Sequence, residues 1–204
     1  MNRNLIITIL AFLAFSQTQA QVTFKLGLRA GVNISHFTKG DASYSNDGYY
    51  DYNGNYISFS KDTYSSKTDS YIALYGALKL TKYYTLQPEI SYSNQGSVVK
   101  KYDQNNMSND TKLNISYLSI GVINKFTFNK FNVHLGPTID FVVDKNFNAD
   151  SEVDLAFLLG AGYNITSNFG IEARIKKGIV PVLDYSLSNH TNVVFQLGAT
   201  YTFM

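Results

Sequence analysis

The chain has no cysteine and no tryptophan, three prolines in 204 residues, and charges that nearly cancel, 17 basic side chains against 15 acidic. Without cysteine no disulfide framework is available, so an exported form of the chain must be held by hydrogen-bond ladders and packing. A formal charge of +2 leaves no electrostatic footprint for nucleic acid, which is not expected as a partner. Long apolar runs are missing too. No segment reaches the roughly 18 uninterrupted apolar residues that a helix needs to cross a bilayer, which excludes a helical membrane protein.

What is present is alternation. Val153, Leu155, Phe157, Leu159, Ala161, Tyr163 and Ile165 occupy every second position, with Asp154, Gly160, Gly162 and Asn164 among the residues between them. That period of two describes a strand with one apolar face. The first such strand, residues 22–37, sets Phe24, Leu26, Leu28, Ala30, Val32 and Ile34 against Lys25, Gly27, Arg29, Gly31, Asn33 and Ser35. Similar runs fall at residues 71–80, 84–93, 113–126, 131–141, 169–176 and 192–203, that at 113–126 with an ambiguous register. Eight strands of about ten residues define an all-β fold, an eight-stranded antiparallel transmembrane β-barrel, whose lumen is too narrow for a wide channel.

The N-terminus predicts the route. Arg3 supplies a basic start, residues 5–15 an apolar stretch and Thr18-Gln19-Ala20 a small-residue site. Residues 1–20 read as a cleaved secretory signal peptide, leaving residues 21–204 as one barrel domain. Connections alternate in length: residues 81–83, 127–130 and 166–168 are tight, whereas 38–70, 97–112, 143–151 and 178–189 are long. Short turns are the periplasmic rule, so the long loops and their partners are expected outside the cell. Phe24, Tyr84, Phe126, Phe128, Phe131, Tyr163, Phe169, Tyr201 and Phe203 lie beside the short turns or termini, and Tyr92, Tyr117 and Phe141 near the opposite strand ends, as two interfacial girdles. A soluble ligand cup would also alternate. Its polar face, however, would meet water, whereas here that face is rich in glycine, which suits a crowded interior.

Several segments carry a resemblance. Leu28-Arg29-Ala30-Gly31-Val32-Asn33, Leu86-Gln87-Pro88-Glu89-Ile90-Ser91-Tyr92-Ser93 with Gln95-Gly96, Gly136-Pro137, Leu159-Gly160-Ala161-Gly162-Tyr163 and the closing Phe195-Gln196-Leu197-Gly198 resemble the PorT-like outer-membrane β-barrel family of Bacteroidota. The resemblance spans essentially the whole mature chain. It implies the bacterial outer membrane and a barrel fold, with protein secretion among the roles of some relatives. One departure is Met204 after Phe203, where such barrels usually finish on the aromatic residue.

Parity places Lys25, Arg29, Arg174 and Lys176 on the inward face with Glu89, Asp140, Asp154 and Glu172, four charges of each sign. Arg29, Glu89, Glu172 and Arg174 fall at one depth, where unpaired charge is costly. They form either a salt-bridged plug or an ion path. Asp140 and Asp154, on adjacent strands near the outer mouth, could hold a cation or act as an acid/base pair, or form a solvated rim that Lys176 neutralises. His134 suggests lipid hydrolysis, but parity brings no serine beside it as a nucleophile. No catalytic residue, cofactor or metal is assigned. Asp51, Asn53, Asn55 and Asp62 fit a calcium loop poorly because Gly54 is two places early. In the first long loop Tyr49, Tyr50, Tyr52 and Tyr56 stand among Ser, Asn, Asp and Gly, the composition of an adaptable surface for a protein or glycan, or of a solvated loop. Pro88 and Pro137 each remove a ladder donor and predict local bulges. The expected protein is a monomer contacting outer-membrane lipid, non-enzymatic, acting through its extracellular loops or as an envelope or secretion accessory. Its rivals are a small solute or ion pore and a lipid-modifying barrel enzyme.

Overall fold

The computed structural model of the chain describes residues 22–38, 49–50, 54, 56–57, 63–102, 108–185 and 188–203. Eight strands carry the fold: β1 Thr23–Phe37, β2 Lys67–Lys79, β3 Tyr84–Tyr102, β4 Ser108–Phe128, β5 Phe131–Lys145, β6 Val153–Asn164, β7 Phe169–Gly178 and β8 Asn192–Thr202. Each pairs antiparallel with its neighbours in sequence. β8 also pairs with β1, from Gly27↔Thr202 to Phe37↔Asn192, so the sheet closes into a barrel. Closure satisfies backbone groups that an open edge would leave unpaired.

Three tight turns gather at one end, beside Thr23 and Thr202. Two use the same device. Thr81 Oγ1 accepts from the backbone N–H of Tyr83 (3.3 Å) and Tyr84 (3.0 Å), and Thr166 Oγ1 accepts from Asn168 (3.2 Å) and Phe169 (2.9 Å). A short hydroxyl side chain here supplies the acceptor that the turn backbone lacks. The third turn is the two residues between Phe128 and Phe131, where Asn129 takes φ 58°, a left-handed conformation that asparagine tolerates.

Every strand turns large apolar side chains outward. Leu28, Leu74, Ile90, Ile120, Ile139, Leu159, Ile171 and Leu197, one from each strand, are 41–53% exposed. The inward face buries Arg29, Ser119, His134, Glu172, Arg174 and Gln196. A water-soluble cup has the opposite distribution. An uninterrupted apolar exterior of this size is stable only against hydrocarbon.

The sequence reading is corrected at several places. Residues 97–112 are mostly strand, since β3 and β4 stay paired from Ser97↔Leu113 out to Tyr102↔Ser108. β2 starts at Lys67 and β5 runs on to Lys145. Tyr117 is 1% exposed and points inward, so it is no part of an outer girdle, while Tyr92 and Phe141 are exposed. Its strand carries the register shift at Ser116/Tyr117, with β5 supplying the extra residue, Val143. The prolines cause no bulge. β2–β3 pairing lapses between Tyr75↔Glu89 and Leu78↔Leu86, and β4–β5 pairing lapses between Gly121↔Thr138 and Asn124↔Leu135, each resuming in unchanged register. A missing donor thus costs local pairing and leaves the alignment intact.

Candidate functional site: an obstructed lumen

Three strands bring the charge layer together. Arg29 of β1 pairs with Glu89 of β3 and, through Nε, with Glu172 of β7. Arg174, two residues along β7 and so on the same face, reaches Glu89 Oε1 from NH1 at 3.0 Å and Glu172 Oε1 from Nε at 2.7 Å. Glu172 Oε1 lies between the two Nε groups as an ion pair without hydrogen-bond alignment. Arg174 Nε also donates to His134 Nε2 at 3.1 Å, which leaves the other ring nitrogen to meet Asn132 Oδ1 at 3.1 Å. The Arg29 guanidinium stacks on the Tyr75 ring, 4.7 Å from its centroid. Two arginines and two glutamates in mutual contact neutralise one another where either sign alone would be prohibitive. Space for them comes from glycine: a Cβ at Gly160 would collide with His134 Nε2 and stand 2.8 Å from Arg174 Cγ. Lys25, on the same parity, is exposed at the short-turn mouth and takes no part.

Above this layer lies a cluster of amides and hydroxyls. Gln196 Nε2 donates to Asn33 Oδ1 (2.9 Å), Asn33 Nδ2 to Ser93 Oγ (2.8 Å) and to Asn94 O (2.8 Å), Gln95 Nε2 to Ser93 Oγ (2.7 Å), and Asn192 Nδ2 to Gln95 Oε1. β3 loses its pairing with β2 beyond Tyr71↔Ser93 and regains a partner at Ser65↔Val98, in the three-residue strand Thr63–Ser65 that precedes β2. Side chains of β1 take over there. Ser35 Oγ accepts from Gly96 N–H and bonds Gly96 O, both at 2.9 Å. Gly96 has φ +144°, and a Cβ there would run into the Leu113 carbonyl, so only glycine lets β3 turn inward.

Asp140 and Asp154 are directly opposed on β5 and β6. They do not form a solvated rim: with Lys176 they are 2–5% exposed. Lys176 Nζ donates to Asp140 Oδ2 at 2.6 Å. Asp154 Oδ1 accepts from the backbone N–H of Ile179 (3.2 Å) and Val180 (3.0 Å), tying down the chain as it leaves β7. Burial there comes from a feature that sequence reasoning missed. Phe37, Ile115, Tyr117 and Val182 form an apolar cluster at the long-loop end, with Tyr64, Leu113, Val142, Phe147 and Ala149 packed against it. Its signal was available in the parity, because Phe37 and Ile115 are apolar residues on an otherwise polar inward face.

Tyr49–Tyr50 pairs with Tyr56–Ile57 in a small hairpin. Tyr52 and the calcium-loop positions Asp51, Asn53, Asn55 and Asp62 lie outside the described residues. Among the described residues no group of three His, Cys, Asp or Glu could hold a metal ion.

An apolar girth around an ion-paired, hydrogen-bonded interior defines a membrane-spanning β-barrel of the bacterial outer membrane. The chain belongs to the outer membrane protein beta-barrel domain family, whose model matches residues 15–191. Among solved structures, Neisserial surface protein A (NspA) shares the fold at 13% identity and TM-score 0.51, over 87% of this chain and 97% of that one. OprG of Pseudomonas aeruginosa matches at 15% identity and TM-score 0.45 over 90% and 98% of the two chains. Ail of Yersinia pestis, in complex with the heparin analogue sucrose octasulfate, matches at 14% and 0.46 over 88% and 99%. No curated protein matches the chain. In an outer-membrane barrel the short-turn end is periplasmic and the long-loop end extracellular.

Proposed function

We propose that this protein is a non-enzymatic outer-membrane barrel with a closed lumen that works through its extracellular loops, as a PorT-like accessory to envelope or secretion processes. One observation carries the reading: the lumen is obstructed at successive levels by the Arg29–Glu89–Glu172–Arg174 layer, the Asn33–Gln95–Gln196 cluster and the Phe37–Tyr117 cap. A molecule that fills its own interior has its surface left to act with. Against an enzymatic role, both ring nitrogens of His134 are engaged, by Arg174 and Asn132, and the ring is 1% exposed.

The test has two arms. Planar bilayers containing the protein should show no steady single-channel steps, and their appearance would favour a solute or ion pore. Photo-crosslinking from Tyr49, Tyr50, Tyr52 or Tyr56 on intact cells should capture a specific protein or glycan. An unchanged secretome in a deletion strain would remove the secretion role. Altered lipid A or phospholipid in that strain would restore the enzyme. Residues 1–20 are proposed as the signal peptide, so the mature protein should begin at Gln21 on N-terminal sequencing.

A further inference from the structure

Charge is distributed unevenly along the barrel axis. On the periplasmic side of Glu89 and Glu172 the described residues hold five lysines, Lys25, Lys79, Lys82, Lys125 and Lys130, and no aspartate or glutamate. None of the five is in an ion pair among the described residues. At the opposite end the signs mix, and Lys67–Asp69 and Lys145–Glu152 pair there. Unbalanced cations at one end of a nearly neutral chain favour an anion from outside it.

Two of the five stand on the lipid-facing girdle. Lys82 Nζ lies 5.4 Å from the centroid of the Tyr83 ring, and Lys130 Nζ lies 5.9 Å from that of Tyr163. Tyr83 stacks on Phe128 at 5.9 Å, and Phe131 meets Tyr163 edge-on at 4.9 Å. The backbone bond from Thr127 N–H to Tyr83 O, 2.8 Å, ties the end of β4 to the first turn, and Phe128 pairs with Phe131 across the second. The result is one continuous arc over β3–β6, with an exposed ammonium held over an aromatic face at each half. The rest of the girdle, Phe169, Tyr201, Phe203 and Phe24, has no basic residue on its outer face, since Lys25 and Lys79 stand on the inward parity. A uniform interfacial belt would not be one-sided in this way.

Aromatic rings seat at the level where acyl chains meet headgroups, and a lysine over such a ring keeps its charge at the phosphate plane. Only a ligand with both an acyl body and an anionic head uses the whole arc. We propose that Lys82 and Lys130, with Tyr83, Phe128, Phe131 and Tyr163, form a binding site for an anionic phospholipid headgroup in the periplasmic leaflet.

The test uses the full-length protein in detergent micelles, offered equal amounts of phosphatidylglycerol and phosphatidylethanolamine of matched chains, with bound lipid read by native mass spectrometry. Phosphatidylglycerol should be retained in preference. Lys82→Gln and Lys130→Gln should each lower that preference roughly fivefold, the worth of one basic side chain at an anionic membrane surface. Lys130→Arg should keep it, and Lys112→Gln at the other end should not alter it. Heat-induced mobility shifts should stay wild-type, because both turn positions are exposed. Equal retention of the two lipids by the wild type would overturn the site, as would an undiminished preference in the double variant. Displacement of the lipid by millimolar inorganic phosphate would instead make this a free-phosphate site.

Discussion

Arg174 crosses the lumen to Glu89, a residue 85 positions away in sequence, and NH1 meets Oε1 at 3.0 Å. Both side chains are almost wholly buried, so neither charge has water to fall back on. Removing one partner should therefore cost more than the pair is worth. Glu89→Ala is expected to lower folding stability by about 3 to 5 kcal/mol. Since Arg29 also pairs with Glu89, the double change Arg29→Ala with Glu89→Ala should recover part of that loss, with a coupling of about 0.5 to 3 kcal/mol in a double-mutant cycle. Urea titration in liposomes reads both, and strict additivity would contradict a mutually neutralising layer.

Leu159 and Gly160 test the two faces of one strand. Leu159 is 48% exposed on the apolar girth, and Leu159→Arg should destabilise the barrel by about 2 to 4 kcal/mol if it stands near the bilayer midplane. Gly160→Val should also destabilise it, by pressing on His134 and Arg174. Folding titrations that show no change for Leu159→Arg would mean the outward face is not in lipid.

The apolar cap is a core in miniature. Phe37 packs against Tyr64 and Phe147, with ring centroids 6.1 and 5.9 Å apart. Phe37→Ala should cost about 3 to 5 kcal/mol, the usual result of emptying a buried aromatic site. Faster proteolysis of the extracellular loops in intact cells is the second readout. Unchanged protection would show that the cap does not hold the loops.

Phe203 extends the seam where the last strand closes on the first. Its N–H donates to Leu26 O at 2.8 Å, and its ring meets Tyr201 edge-on at 5.5 Å. Phe203→Ala should slow insertion and raise the fraction of periplasmic precursor in a pulse-chase experiment, because an interfacial anchor is lost. Wild-type kinetics would dismiss a role for this aromatic in assembly.

Orientation is tested by an epitope tag inserted after Gly48 in the first long loop. Antibody should label intact cells, and the barrel should keep its heat-modifiable mobility, since loop tips tolerate insertion. Labelling only after the outer membrane is permeabilised would reverse the topology.

The faces of the barrel were legible because a strand repeats every two residues: the outward run from Val153 to Tyr163 can be read directly from the chain. Depth is legible too, by counting from the tight turns, which groups Arg29, Glu89, Glu172 and Arg174 from the sequence alone. What alternation cannot convey is how strands continue beyond the membrane. Residues 97–102 and 108–112 look like a loop because no clear alternation of period two runs through them, yet they pair as strand. Tyr117 and Phe37 depend on distant partners such as Val182 and Phe147, whose positions no local pattern contains. Lys176, Asp140 and Asp154 read as solvated for the same reason: the cap that covers them is assembled from several segments.

The charge layer draws on the first, third and seventh strands in chain order. While the chain is being delivered to the membrane, Arg29 and Glu89 emerge long before Glu172 and Arg174. A partly inserted form therefore holds the Arg29–Glu89 pair without Glu172 and Arg174, the second pair that completes the layer. Contacts from the seventh strand back to Arg29 and Glu89 form only when the late strands arrive, so the interior rewards closure of the whole barrel over a partial sheet.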